Sequence, residues 1–500
     1  MERMSVWKGT SREETRFPQL EGSIEVDVTI VGGGITGMMA AMLLKEKGKR
    51  VAVLEAEQVG MGTTHQSTGN LYAMLSDQLS TIREKWDDDT MKMVVQSRQA
   101  AIDLIEDAIN RYTINCGFKR CDWHYYATPA GSRQSPAINK EFDALRFAGL
   151  NPEYIESLPL PFKLDKGIKV GNQAQFHPLN FVRGLARSIA SDECLILENT
   201  GIVDFNTGTV EVRTARGSVK SGKIIMATHT PKGINAVQAE MIAAQEFGLA
   251  ARLKDGSYPQ GIFWGHDESR HSIRSYHSGN QQYLIVIGEM HHTGHGENTQ
   301  QYHDKLEQFA RSSFNIDSID YTWLGQHYRP ADKLPYIGHS PGSSNLYIAT
   351  GFSTGGLVYG AVSAMILSDE ILGRTNEWDD LYKASRFDPI KGAKGIWKEQ
   401  TDAVKHMVKD YLQGDEVKPR QDLLPGDGAI LEIDGEQVAA YMDEQGQVTT
   451  LSPVCPHLKC RVHWSNAEKS WDCPCHGSRF DKKGKVLEGP ALSPLERKPA

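Results

Sequence analysis

The apolar positions of the first sixty residues follow a strand–helix–strand pattern. Residues 26–31 form a β-branched run, typical of a strand that is buried on both faces in a parallel sheet. A glycine-rich turn follows directly, and the apolar stretch 38–44 predicts a buried helix. Residues 50–54 predict the next strand, which closes on an acidic residue. The pattern indicates an α/β domain near the start of the chain.

The later segments change character twice. Residues 123–128 predict a strand with aromatic faces, and the block from about 235 to 325 predicts more strands with a helix near 300–314. A charged stretch with apolar residues at helical spacing, 391–412, predicts a surface helix, followed by a linker at 414–420. From residue 422 onward short strands alternate with glycine turns, which predicts a small all-β domain.

The glycine turn of the first domain has the spacing of a dinucleotide-binding fingerprint. Gly32 permits a tight turn, Gly34 lets the backbone approach a pyrophosphate, and Gly37 lets the helix pack closely on the strand. Glu55, 18 residues after Gly37, is placed to accept hydrogen bonds from a ribose hydroxyl. An unrelated glycine turn remains the alternative, and the fingerprint does not distinguish NAD from FAD.

Residues 60–70 resemble the flavin-contacting loop of the D-amino-acid oxidase family of flavoproteins. Some members attach FAD through a histidine in this loop, whereas here His65 falls one position early and Gln66 occupies that place. The resemblance therefore implies noncovalent FAD. Beside the fingerprint residues, it implies FAD contacts from Ile35, Thr36, Ala56, Thr63, Thr64, Ile202, Val203, Thr228, Gly351, Gly355 and Gly356.

Four of the seven cysteines lie near the end of the chain, interleaved with two histidines. Two loops, 455–460 and 473–478, are separated by twelve residues, and each carries a cysteine and a histidine on one tight turn. A Rieske [2Fe–2S] centre needs two cysteines on one iron and two histidines on the other. A structural zinc site is the alternative, but six potential ligands exceed the four that zinc takes.

The two loops resemble the high-potential Rieske loops of the cytochrome bc complexes, through the run 473–478. That resemblance implies that Cys455 and Cys473 bind one iron and that His457 and His476 bind the other. It also implies a disulfide between the remaining two cysteines, Cys460 and Cys475.

Together the resemblances imply an α/β FAD-binding domain of Rossmann type with an inserted antiparallel-sheet substrate domain, followed by a small all-β Rieske domain. The oxidoreductase domain would span 1–390, a helical connector 391–420 and the Rieske domain 421–500. FAD-binding parts are expected at about 20–80, 175–235 and 325–375. Substrate-domain parts are expected at about 85–170 and 236–322.

This architecture implies FAD-dependent oxidation of an amine or N-substituted amino compound at a carbon next to nitrogen. Electrons would pass from FAD to the cluster and on to an external one-electron acceptor, such as a ferredoxin-like protein or a quinone. The alternative is an electron-transfer component reduced by NAD(P)H, although the chain carries only one dinucleotide fingerprint. A Rieske oxygenase is disfavoured, because no domain with an obvious mononuclear-iron triad is present.

The substrate contacts are less defined by the sequence. In the glycine-oxidase branch two arginines grip the substrate carboxylate, and the aligned positions here are His327 and Thr354. The absence of both arginines argues against a free α-amino acid as substrate and favours an amine. Tyr276, His327 and Arg329 are candidate catalytic residues of the pocket, although each is equally consistent with packing or with the surface.

Composition limits the binding partners and the cell compartment that we expect for this protein. A net charge of −8 argues against nucleic acid, and no apolar run approaches the ~18 residues of a membrane span. The first residues lack an apolar signal-peptide core, so we expect a cytoplasmic protein in which Cys116, Cys121 and Cys194 are reduced. A bond between the first two of these remains open. The histidines at 291, 292 and 295 suggest either a metal site or, preferentially, a polar loop.

Overall fold

The structure is a computed structural model of the 500-residue chain. It describes residues 3–12, 15–129, 135–266, 270–296, 298–386 and 419–499. Most of the predicted helical connector, residues 391–418, lies outside the described residues.

The α-helices of the described residues all lie before residue 387. They are α1 (Val6–Thr10), α2 (Ile35–Glu46), α3 (Leu79–Lys85), α4 (Asp88–Tyr112), α5 (Ser135–Phe147), α6 (Pro178–Ile189), α7 (Gln300–Ser313), α8 (Gly356–Ile371) and α9 (Asp379–Tyr382).

The strands run through the whole described chain. They are β1 (Gly22–Glu25), β2 (Val28–Val31), β3 (Val51–Leu54), β4 (Asn70–Leu71), β5 (Lys119–Ala127), β6 (Pro152–Ile155), β7 (Lys166–Gln175), β8 (Cys194–Leu197), β9 (Ile202–Asn206), β10 (Glu211–Thr214), β11 (Gly217–Lys220), β12 (Lys223–Met226), β13 (Met241–Leu253), β14 (Ile262–Gly265), β15 (Ser272–Ser278), β16 (Gln281–His292), β17 (Ile316–Pro330), β18 (Tyr336–His339), β19 (Leu346–Thr350), β20 (Gly428–Ile433), β21 (Glu436–Met442), β22 (Val448–Leu451), β23 (His463–Ser465), β24 (Ser470–Asp472), β25 (Arg479–Asp481) and β26 (Val486–Glu488).

A six-stranded sheet in the order β18-β19-β12-β2-β3-β8 forms the centre of the first domain. All its pairings are parallel except β18 with β19. Every residue of β2 and β3 is buried, because helices α2 and α8 lie on one face and the small sheet β1-β11-β10-β9 packs on the other. This two-sided burial is the reason that the strands read as continuous apolar runs.

A nine-stranded sheet forms the second layer, in the order β17-β13-β16-β15-β14-β5-β7-β4 with β6 beside β7. At one edge lies the antiparallel trio β17-β13-β16, which the chain builds from its second block of strands. The expected helix near 300–314 is α7, which lies against β16 and β13. Strand β17 runs on to Pro330, so the predicted division between substrate and FAD-binding parts at 322–325 falls inside one strand.

The C-terminal region is all-β, as the sequence predicts. It contains a three-stranded sheet, β20-β21-β22, and a four-stranded sheet, β23-β24-β25-β26. The predicted fold class is therefore confirmed: an α/β domain of Rossmann type, an antiparallel-sheet domain and a small all-β domain. Within the described ranges, no helix is both long and apolar enough to cross a membrane.

The remaining cysteines and the histidine cluster have structural explanations. Cys116, Cys121 and Cys194 are free thiols, and burial raises the pKa of Cys116 to about 12. The side chain of His291 stacks on Tyr302, with ring centroids 4.3 Å apart. His291 and His292 are the last two residues of β16 and only His295 lies in the loop after it, so the polar-loop interpretation is wrong for the first two histidines.

Candidate functional site: a flavin cavity facing an iron–sulfur loop pair

A cavity of about 1270 Å³ lies between the six-stranded sheet and the nine-stranded sheet. It exceeds the 300–1,000 Å³ of most small-molecule sites, which suits an extended dinucleotide together with a substrate. Its walls come from the glycine turn, the 60–70 loop, the roof strands β13, β16 and β17, and the start of α8. The C-terminal β domain contributes one side, through residues between 468 and 497.

The glycine turn has the geometry that the fingerprint requires. Gly32 adopts a φ of +109°, and a Cβ there would lie 2.4 Å from the Ala227 carbonyl oxygen. A Cβ at Gly37 would lie 2.0 Å from the Gly32 carbonyl oxygen, so only glycine allows α2 to pack this close to the turn. Gly34 is the N-cap of α2 and lines the cavity, leaving the helix N-terminus open to an anion.

Glu55 lines the cavity and also hydrogen-bonds to the glycine turn. Its carboxylate accepts hydrogen bonds from the Gly33 N–H at 2.7 Å and the Glu57 N–H at 2.9 Å. Burial raises its pKa, and these two bonds oppose the rise. Thr64 accepts a hydrogen bond from the Ile35 N–H at 3.1 Å, which ties the 60–70 loop to the start of α2.

Most residues expected to contact FAD line the cavity. They are Gly32, Gly34, Ile35, Thr36, Glu55, Ala56, Thr63, Thr64, Ile202, Thr228, Gly355 and Gly356. Three expected contacts do not line the cavity. Gly37 packs against backbone and Gly351 against Pro330, and Val203 is 53% exposed. These assignments stay predictions until a flavin complex is measured.

His65 lies in the cavity wall, and its Nδ1 is 2.6 Å from the Gly62 carbonyl oxygen. Burial lowers its pKa to about 4, so the ring is neutral. The prediction that FAD binds without a covalent bond rests on the position of His65, one residue before the place of the attachment histidine.

The three candidate catalytic residues are placed differently. His327 lies in the cavity wall, buried, and burial lowers its pKa well below the usual range. Tyr276 lies elsewhere, with its hydroxyl 3.2 Å from the Thr10 hydroxyl. Arg329 is outside the wall and forms a 2.5 Å ion pair with Asp77. Of the three, only His327 is in position to touch a substrate.

Two charged wall residues have no sequence signal. Arg98 on α4 donates to the Ala73 and Tyr72 carbonyls, and its Nη1 has no partner among the described residues. Glu246 on β13 also faces the cavity. Both come from segments far from the glycine motifs, and only the pairing of elements brings them to the site.

The two loops of the β domain come together as one site. The Sγ atoms of Cys460 and Cys475 form a disulfide, and Cys455 and Cys473 are buried and free. These two thiols are close enough to share a hydrogen bond. The rings of His457 and His476 lie edge to face, with centroids 5.1 Å apart and planes 84° to each other.

The donor set fits a Rieske cluster. Burial lowers the pKa of both histidines, to about 4 for His476, so both imidazoles are neutral as ligands must be. The Nε2 atom of His457 is buried and has no partner in the described part of the chain. Two thiols, two neutral imidazoles and a disulfide clamp are the set that such a cluster takes.

The cluster loops dock on the flavin domain. The Gln326 side chain donates to the Gly477 carbonyl at 2.9 Å, and a Cβ on Gly477 would lie 2.5 Å from the Ala243 Cβ. His457 hydrogen-bonds to the backbone of Gly233, which belongs to the turn after β12. The cavity wall and the cluster loops are thus joined through β17 and this turn.

A second set of contacts fixes the same interface. The Glu488 carboxylate lies 2.7 Å from the His229 Nδ1, and the Lys232 ammonium donates to the Gly489 carbonyl at 2.7 Å. Burial opposes ionisation of Glu488, yet the His229 bond and nearby cations hold its pKa below the usual range. Thr63, an expected FAD contact, lies 3.0 Å from the same His229 nitrogen.

A Rossmann-type sheet with its glycine turn open to a large cavity, roofed by an antiparallel sheet, defines a dinucleotide-dependent class of protein. The Cys/His loop pair defines a Rieske domain attached to it.

Comparison with known families gives the particular family. The FAD dependent oxidoreductase family matches residues 27–370, and the Rieske [2Fe-2S] domain matches 415–499. The chain belongs to the FAD dependent oxidoreductase family and carries a C-terminal Rieske domain; its cofactors are FAD and a Rieske cluster.

Similar proteins support both parts. The chain is 33% identical over 496 residues to the Rieske 2Fe-2S iron-sulfur protein YhfW of Bacillus subtilis, covering 98% of this chain and 96% of that one. It is 22% identical to gamma-glutamylputrescine oxidoreductase of Escherichia coli, covering 78% and 94%. The structure of glycine oxidase from Geobacillus kaustophilus matches with a TM-score of 0.62 at 17% identity, covering 73% of this chain and 99% of that one.

The Phe480→Tyr variant is expected to have a higher cluster potential than the wild type. Ser478 hydrogen-bonds to the Cys455 sulfur, and Phe480, two residues on, lies on the same side of the extended chain, buried in the core that contains the cysteines. Donors to cluster sulfurs stabilise the more negative reduced state. We expect the wild-type potential within roughly −150 to +300 mV and below that of the bc-complex proteins.

A redox titration of both proteins measures the change. The visible spectrum of the oxidised cluster serves as the control for an intact site. An unchanged or lowered potential with that spectrum intact means that position 480 does not face a cluster sulfur.

Proposed function

We propose that the protein oxidises an amine or N-substituted amino compound at a carbon next to nitrogen, and that the electrons leave through the Rieske centre. FAD supplies two-electron chemistry at such a carbon, and a [2Fe–2S] cluster supplies one-electron chemistry. The uncharged form of the substrate would give one C–H hydride to FAD, and its nitrogen lone pair would complete a C=N bond. The proton that came with the hydride would be released as the two electrons leave one at a time. Two molecules of an external acceptor, a ferredoxin-like protein or a quinone, take one electron each.

The docking of the cluster loops against the cavity carries this proposal. Gln326 lines the cavity and donates to Gly477, the residue that follows the expected ligand His476. One side chain therefore contacts both sites. A detached electron-transfer module would not need its ligand loop packed on the roof of the substrate cavity.

The wall residues can bind and orient a substrate in the cavity. His327 is buried and neutral, so it can accept or donate a hydrogen bond without adding charge. On the neighbouring strand β13, the residue paired with His327 is Ala244. The small alanine side chain leaves room for the imidazole ring to point into the cavity. Strand β17 holds this residue two positions from Arg329, whose charge is taken up by Asp77.

Anaerobic mixing with candidate reductants tests the reaction class. A panel of amines, polyamines and N-methylated compounds is added to the oxidised protein, and NADH is added separately. We expect at least one amine to bleach the flavin absorbance and NADH to leave it unchanged. Bleaching by NADH alone would instead identify an electron-transfer component that serves a separate enzyme.

The Gly294→Ala variant is expected to slow electron arrival at the cluster by tenfold or more while substrate still reduces the flavin. Gly294 follows β16, and a Cβ there would lie 2.7 Å from the Pro474 nitrogen and 2.9 Å from the Asp472 carbonyl oxygen. The added methyl would push the cluster loop away from the flavin domain, and tunnelling between centres falls steeply with distance. Stopped-flow absorbance with an active amine resolves the two steps.

Gly296→Ala is the matched control. Gly296 has a φ of +90° and Gly294 one of +71°, so both variants carry backbone strain, but a Cβ at Gly296 meets nothing within 4 Å. The control should transfer electrons at the wild-type rate. Equal transfer rates in both variants would contradict a transfer path through the docked loop.

A further inference from the structure

Glu246 occupies an irregular position in the roof of the cavity. It lies on β13 between Gln245 and Phe247, where the register against β16 shifts. On β17, the strand on the other side of β13, the residue paired with Glu246 is Gly325. Glycine has no side chain that could crowd the Glu246 carboxylate. Such irregularities re-aim side chains and are frequent next to active sites. Glu246 and Gly325 both line the cavity, so the carboxylate is directed into open space.

The carboxylate has no partner of its own. It makes no hydrogen bond or ion pair with any residue that the structure describes, although buried carboxylates are normally paired. The nearby cation Arg329 is held by Asp77 at 2.5 Å, and Arg270 lies 3.7 Å from the same carboxylate of Asp77. His327 is neutral because burial lowers its pKa. A positively charged ligand in the cavity could therefore pair with the Glu246 carboxylate.

Burial also raises the pKa of Glu246 to about 7, with the charge of Arg329 opposing the rise. A carboxyl group in this state gains more than an exposed one when a cation binds beside it, because the cation restores favourable ionisation. An unpaired carboxylate in an enclosed cavity is a complement to a positively charged nitrogen.

We propose that Glu246 binds the positively charged nitrogen of the substrate, which makes it a specificity-determining residue for cationic amines. The proposal rests on the proposed function only in placing the substrate in the flavin cavity. It deepens that function, because it states which part of the substrate is recognised: a cationic ammonium group. Where that nitrogen is also the one that is oxidised, its proton passes to the Glu246 carboxylate before the C–H hydride leaves, which frees the lone pair that completes the C=N bond.

Anaerobic titration of the holoenzyme, followed through the visible absorbance of FAD, tests this assignment. The probes are n-butylamine, 1,4-diaminobutane and N-methylglycine, with 1-butanol as an uncharged analogue. At least one of the amines should perturb or bleach the flavin spectrum with saturation, and 1-butanol should require at least tenfold higher concentrations. The wild-type comparison alone thus tests whether the cavity prefers a cation.

The Glu246→Gln variant localises that preference. It keeps the size of the side chain and removes the charge, so half-saturation by the amine should rise at least tenfold while bound FAD stays stoichiometric. Glu307→Gln, which removes the same charge from α7 away from the cavity, should behave as the wild type. Half-saturation that is equal in wild type and Glu246→Gln, or no saturation by any of the amines, overturns the assignment. An amine that binds through Glu246 without bleaching the flavin would contradict the proposed reaction and leave this inference standing.

Discussion

The Gly34→Val variant is expected to purify without FAD. Gly34 caps α2 and lines the cavity, and a Cβ there would already lie 3.1 Å from the Thr64 Oγ1. The two methyl groups of valine would extend beyond that Cβ into the space for the pyrophosphate. Flavin released by acid precipitation is quantified against protein, with release from the wild type near one FAD per chain.

Gly171→Val is the control for this variant. Gly171 lies on an exposed part of β7, and its nearest contact from a Cβ would be Asp122 at 3.5 Å, so valine fits there. It should keep its FAD. The cluster spectrum should persist in both proteins, because the Rieske loops are built from their own strands. Full FAD occupancy in a folded Gly34→Val protein would refute the position assigned to the pyrophosphate.

The His476→Ala variant is expected to lose the Rieske cluster and with it electron transfer to the acceptor. The His476 ring lies edge to face with the His457 ring, and removing one of the two predicted imidazole ligands would leave one iron with an incomplete set. Flavin content and bleaching by an active amine should remain, since His476 is not part of the cavity wall. Electron paramagnetic resonance of the reduced protein and steady-state acceptor reduction are the measurements.

His277→Ala, an exposed histidine on β15, provides the matched control and should retain cluster and turnover. A His476→Ala protein that folds and still reduces the native acceptor at the wild-type rate would remove the cluster from the electron path. Direct reoxidation of the flavin by dioxygen is the behaviour that such a result would indicate.

The parts of the site that the sequence predicted are local. Gly32, Gly34 and Gly37 form one turn whose shape depends on neighbouring residues, so their spacing carries the information. The same is true of the cluster loops, where each cysteine and histidine pair lies on one turn. The disulfide between the two loops was implied by the resemblance to the bc-complex loops, and the structure contains it.

The substrate side of the cavity required the tertiary structure. Tyr276 and Arg329 are polar residues in the predicted substrate region, yet packing against Thr10 and pairing with Asp77 take both away from the cavity. Arg98 and Glu246 reach it from a helix and a strand with no motif. Which face of a strand points inward depends on register, and a single irregularity re-aims a side chain.

The sequence by itself therefore indicated a dinucleotide site, a Cys/His metal centre and the order of an α/β and a small all-β domain, because these depend on local motifs and on the period of apolar residues. That the dinucleotide is FAD came from the resemblance of the 60–70 loop to a known family. Only the tertiary structure decided that the cluster loops pack on the roof of the flavin cavity, through Gln326 and Gly477. It also decided that an unpaired carboxylate faces the substrate space. Both depend on contacts between residues more than a hundred positions apart or on the pairing of strands, which spacing along the chain does not encode.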